Sequence, residues 1–170
     1  MATIRVVCET TEPPERVLRA AFDFSERRAQ VFPAVELEHF KVHELEGTSA
    51  DVTEGTATGP FGTNWERCRY DSSQPGLVSA PVTDSNVYEP ARSSWEIRAT
   101  PHGDGSQIEM IWERQFKANA RGRIFGTLFR TVGKPIFRRY AREVIENIEK
   151  STGAPGRRNP SPARNPPFRR

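Results

Sequence analysis

At 170 residues the chain is long enough for one domain with a sizeable core and short for two. Its formal net charge of +3 invites a nucleic-acid reading, but residues 151–170 hold five of the 25 basic residues and none of the 22 acidic ones, leaving 20 against 22 in residues 1–150. The basic excess belongs to the tail, which offers only a salt-sensitive attraction to phosphates, so no nucleic-acid partner is expected.

The tail, "STGAPGRRNPSPARNPPFRR", has five Pro and a single large apolar residue, Phe168, a composition that predicts disorder. The expected organisation is therefore one domain over 1–150 and a basic Pro/Arg-rich tail over 151–170. The first residues, "MATIRVVCETTEPPERV", contain no long apolar stretch, and no run of about 18 apolar residues occurs, which predicts a soluble, cytoplasmic protein. Cys8 and Cys68 are isolated thiols, without the spacing of a zinc site or a disulfide framework.

In chain order, "TIRVVC" has the β-branched character of a strand, and the prolines of "TTEPPERVLRAAFDF" open a helix at about Glu15. A second short helix, "SERRAQVF", is predicted before Pro33. The period then changes to two. "VELEHFKVHELE" and "SADVTEGTAT" read as a hairpin turning around Gly47, followed by strands over "GTNWERCRYD" and "GLVSAPVTD". "SSWEIRAT" and "GSQIEMIWERQF" form another hairpin across "PHGDG".

From Arg121 to Lys150 the period is helical, with Ile124, Leu128, Val132, Ile136, Tyr140, Val144 and Ile148 at steps of four. Such a stripe drifts about 40° per step, so a kink at Pro135, after Gly133, is expected to let both halves face inward. The predicted class is α+β: two short helices after the first strand, then a curved antiparallel sheet of about seven strands around a long C-terminal helix.

That order, with "PPERVLRAAFDF", "FGTNWERCRYD", "SSWEIRATPHGDGSQIEMIWERQF" and the final helix, resembles the helix-grip fold of the START-like, or SRPBCC, superfamily, also called Bet v 1-like, over about residues 3–150. That superfamily includes plant pathogenesis-related allergens, lipid-transfer domains and polyketide aromatase/cyclases. Trp95, Arg98, Trp112 and Phe116 look most like the polyketide cyclase/dehydrase branch. The Trp that many members carry just after the "DF" pair at Asp23 and Phe24 is lacking. The resemblance implies an elongated cavity between sheet and helix that takes apolar ligands. Gly122, Gly126 and Gly133 thin the helix where such a space would lie, or else permit close packing on the sheet.

Several residues could carry chemistry in such a cavity. Arg114 falls on the apolar face of its strand between Trp112 and Phe116, where a guanidinium could hold a ligand carboxylate, phenolate or enolate, or else snorkel outward. In "NWERCRY", Trp65, Arg67 and Arg69 share one face and Glu66, Cys68 and Tyr70 the other; pattern alone does not decide which points inward. The resemblance places a functional Arg of the aromatase/cyclases near Arg67 or Arg69. If the other face is inward, Tyr70 could donate a hydrogen bond or a proton.

The candidate ligand-lining set is Phe22, Trp65, Trp95, Met110, Trp112, Phe125 and Phe129. His39 and His43, four apart on a predicted strand, would lie about 13 Å apart on one face, too far to share a metal. No metal site and no cofactor is expected.

The expected function is binding of a hydrophobic or aromatic small molecule, polyketide-like or lipid. An enzyme of this kind would perform aldol cyclisation and dehydration. The alternative is a non-catalytic carrier that docks on an anionic membrane, since seven basic residues and no acidic one lie between Arg121 and Arg142. Oligomeric state is not legible in the sequence.

Overall fold

A computed structural model describes residues 1–153. β1 (Ala2–Thr10) leads through Pro13 and Pro14 into α1 (Pro14–Ala21), with Pro14 at the first helical position, where a missing N–H costs nothing. α2 (Arg28–Val31) is a single turn. Then come β2 (Lys41–Glu46), β3 (Ser49–Ala57), β4 (Thr63–Asp71), β5 (Leu77–Ser85), β6 (Ser94–His102) and β7 (Gly105–Arg114). α3 (Ala120–Thr131) and α4 (Gly133–Gly153) follow.

The seven strands form one antiparallel sheet in the order β1-β7-β6-β5-β4-β3-β2. Six consecutive strands meander, and β1 returns to pair with β7 from Ala2↔Arg114 to Thr10↔Ser106. The β6–β7 hairpin closes at His102↔Gly105, so two residues make the turn, and Gly103 at φ +55° supplies the left-handed conformation it requires.

Alternate strand residues point to one face. Ile4 and Val6, Ala50 and Val52, Val78 and Val82, Trp95 and Ile97, and Ile108, Met110 and Trp112 are all buried there. Helices cover that face with Val17 and Ala21 of α1 and Ala141, Val144, Ile145 and Ile148 of α4. The inward set on β7 continues to Arg114, which is 3% exposed.

Three expectations need correction. The strand predicted from Val35 begins only at Lys41, because Leu37–His39 is a 3-10 turn; His39 and His43 therefore do not share a strand face. The C-terminal helix is two helices, broken at Val132. Pro135 lies in the first turn of α4, where its missing N–H needs no partner, and is not the kink.

The stripe of fours divides at that break. Tyr140, Val144 and Ile148 pack inward, but Ile124, Leu128, Val132 and Ile136 are exposed. α3 instead buries Gly122, Gly126 and Phe129. A Cβ on Gly126 would stand 3.1 Å from the Phe116 ring, and one on Gly133 2.8 Å from Ile4 Cδ1. The glycines allow close packing and do not line the cavity described below.

α4 continues three residues past the expected domain boundary, to Gly153. The rest of the predicted tail lies outside the described residues. No helix among the described residues is long and apolar enough to cross a membrane.

Candidate functional site

Between the inner face of the sheet and α2 and α4 lies a cavity of about 260 Å³. Its apolar wall comes from Phe32, Val35, Trp95, Met110, Trp112 and Phe137. Trp95 and Trp112 turn their buried rings to this space, and Trp65 borders it from the outer, Arg67 face of β4. Ile136, 57% exposed, and Ala34 stand where the cavity meets solvent.

The polar part of the wall is built from two ion pairs side by side. Glu54 of β3 and Glu66 of β4 are directly opposite each other in the antiparallel ladder. Glu66 Oε1 accepts a hydrogen bond from Arg114 Nη2 at 3.0 Å, while Arg114 Nη1 donates to the Ser94 carbonyl at 2.9 Å. The Arg114 guanidinium lies over the Tyr88 ring, 4.6 Å from its centre, a cation–π contact.

Arg28, 1% exposed, donates to Glu54 Oε1 at 2.7 Å, to the Ala21 carbonyl at 2.6 Å and to Tyr70 Oη at 3.0 Å. Tyr70 donates in turn to Glu54 Oε2 at 2.8 Å and accepts from Trp95 Nε1 at 3.3 Å. The Phe32 ring closes on the Arg28 guanidinium at 4.1 Å.

The two pairs differ in how completely they are satisfied. Glu54 has both oxygens occupied, but Glu66 Oε2, Arg114 Nε and Asn64 Oδ1, all on cavity-lining residues, have no hydrogen-bond partner among the described residues. Burial pushes the Glu66 carboxyl above its ordinary pKa; Arg114 opposes this, and the neighbouring Glu54 adds to it. Burial likewise raises Tyr88, and raises Tyr70 well above the ordinary phenol value.

The fold gathers some of the sequence candidates and disperses others. Arg114, Trp95, Met110 and Trp112 meet at the cavity, and Trp65 borders it only from the outer face of β4. β4 turns Glu66, Cys68 and Tyr70 inward, so Arg69 is exposed and Arg67 lies on the outer face, bonded through Nη2 to Asp51 at 2.6 Å. Tyr70 sits behind Glu54, its hydroxyl committed to that carboxylate. Phe22 packs on Phe24, Phe125 on Phe61, and Phe129 on Phe116 and Phe137, so Phe22, Phe125 and Phe129 all lie outside the cavity wall.

Arg28, Glu54, Glu66, Asn64 and Tyr88 are lining residues that sequence reasoning did not single out. The β4 alternation carried the signal for Glu66, since it shares a face with Tyr70. Outside the cavity, His39 Nε2 lies 3.8 Å from Glu36 and 3.4 Å from Glu38 on the 3-10 turn, three partly or fully exposed groups at the surface.

An antiparallel sheet closed over a C-terminal helix, with short helices after the first strand, is the helix-grip fold. No protein-family model and no curated protein matches the sequence. Among solved structures, the protein TTHA0849 from Thermus thermophilus superposes with a TM-score of 0.72 at 14% identity, covering 89% of this chain and 100% of that one.

The Zhui aromatase/cyclase from Streptomyces sp. R1128 gives a TM-score of 0.67 at 12% identity over 88% of this chain and 92% of its own. A START superfamily protein from Mycobacterium smegmatis gives 0.56 at 11% identity over 88% and 93%. At such identities the likeness is one of fold.

Proposed function

We propose that the chain binds a compact hydrophobic or aromatic small molecule in the cavity between sheet and helices. The observation that carries this reading is the composition of the wall: aromatic and aliphatic side chains surround an ion pair, Arg114–Glu66, that has hydrogen-bonding capacity left over. An apolar concavity with a few convergent polar groups and a perturbed carboxyl is how small-molecule sites are built. The fold shared with an aromatase/cyclase supports the reading.

In its enzymatic form this is polyketide cyclase/dehydrase-like chemistry. The N–H groups of Arg114 hold a ligand carbonyl oxygen as negative charge develops on it. Glu66, whose burial raises its proton affinity, takes the proton from the adjacent carbon. Ring closure by carbon–carbon bond formation and loss of water follow, and the aromatic walls fold the chain for them. No cofactor is required.

Intrinsic fluorescence tests binding directly, because the buried rings of Trp95 and Trp112 line the cavity. Titration with a panel of small aromatics is expected to give saturable quenching that a cavity-filling Val35→Phe variant abolishes. No response to any member of the panel contradicts the reading.

A second reading, a carrier that meets an anionic membrane, rests on one specific feature. Ile124, Leu128, Val132 and Ile136 leave an apolar stripe in solvent, within a segment that has seven basic residues and no acidic one, and Ile136 also edges the cavity.

A further inference from the structure

The charged groups in the cavity wall are Arg28, Glu54, Glu66 and Arg114, two positive and two negative, and each arginine is bonded to one of the glutamates. The wall is therefore electrically balanced before any ligand arrives. A carboxylate or phosphate entering it would be an uncompensated buried charge, or would have to displace Glu66 from Arg114 and leave that carboxylate unpaired instead. Either route is costly in a space walled by Trp95, Trp112, Met110 and Phe137.

An uncharged ligand meets no such penalty. Within the ion pair one acceptor, Glu66 Oε2, and one donor, Arg114 Nε, are buried and carry no hydrogen bond among the described residues. A hydroxyl group donates and accepts at once, and is the smallest group that answers both.

We infer that the cavity selects an uncharged, hydroxyl-bearing aromatic or enol, held by the Arg114–Glu66 pair, and discriminates against anionic ligands of the same shape. This rests on the reading that the cavity binds a small molecule at all. It departs from the expectation that an arginine on an inward strand face serves a ligand carboxylate, because that role is already filled from within the protein. Size points the same way: about 260 Å³ equals the liquid volume of about nine waters, at ~30 Å³ each, room for one or two rings.

The test is calorimetric titration at pH 7 of the full chain with 2-naphthol, 2-methoxynaphthalene and 2-naphthoate, which share one ring system. For the wild type, 2-naphthol is expected to bind at least about tenfold more tightly than either of the others, the methoxy compound lacking the donor and the naphthoate carrying the charge. Glu66→Gln removes one negative charge while keeping the side chain's shape, so the order of 2-naphthol and 2-naphthoate should invert.

Glu54→Gln changes the wall charge by the same amount from the other pair and should also raise naphthoate affinity, which guards against a failure of the first variant to fold. Naphthoate binding as tightly as naphthol to the wild type overturns the inference while the cavity reading stands. Equal affinity for naphthol and its methyl ether overturns the hydroxyl assignment. No binding of any of the three, by the wild type or either variant, overturns the inference and the cavity reading together.

Discussion

Glu54 and Glu66 face each other directly across β3 and β4, and each is held by a different buried arginine, Arg28 at 2.7 Å and Arg114 at 3.0 Å. Two like charges side by side on the inner face of a sheet are destabilising unless compensated. The arginines supply the compensation from opposite sides, Arg28 from a helix and Arg114 from the end of β7. Most predictions follow from this arrangement.

Arg114→Met leaves Glu66 buried without its partner and should cost about 3–5 kcal/mol in urea unfolding at pH 7. Replacing both, as Arg114→Met with Glu66→Leu, should recover most of that loss, since a buried ion pair is often no better than an apolar pair of similar volume. A double variant as unstable as the single one would show that the pair matters for something other than its charge.

The pH dependence of stability should carry the mark of Glu66. Burial raises its folded pKa above the unfolded value, so its contribution is fully present below the ordinary carboxyl range and is lost as pH rises through the raised folded value. Glu66→Gln does not titrate. Its stability relative to the wild type should therefore be greater at pH 7 than at pH 4, and a difference that is the same at both would contradict the raised pKa.

Tyr70→Phe removes a hydroxyl that donates to Glu54 and accepts from Arg28 and Trp95. Buried charged groups left short of a partner cost on the order of 2–4 kcal/mol here. Thermal or urea unfolding measures it; a loss below about 0.5 kcal/mol would mean that water takes the place of the hydroxyl.

On the membrane reading, the protein should co-sediment with vesicles rich in anionic lipid and less with neutral ones, and less again as salt rises. Leu128→Glu, at an exposed position of α3, should reduce this binding severalfold without lowering the unfolding midpoint. Equal binding by the variant would remove α3 from the contact.

Much of the fold was legible because its strands differ between their two faces. On β7 the alternation of Ile108, Met110 and Trp112 with Gln107, Glu109 and Glu113 places Arg114 inward without further information. Residues 64–70 gave no such answer, since each face mixes an aromatic ring with charges, and the choice is made by Cys68 and Tyr70 packing under the helices.

The α3 stripe misled for a different reason. Counting large apolar side chains overlooks a helix face made of Gly122 and Gly126, whose packing surface is backbone. Arg28 was not legible either. Its neighbour Arg27 is exposed, and what buries Arg28 is a pair of strand residues 26 and 42 positions away, Glu54 and Tyr70.

Native mass spectrometry of protein purified from its own host, followed by denaturation to release what it carries, shows whether the cavity holds a small apolar molecule. The expected result is an added mass that falls away on denaturation and belongs to a compact, uncharged aromatic or enolic compound. A bare protein mass, together with no response to added aromatics, would contradict it.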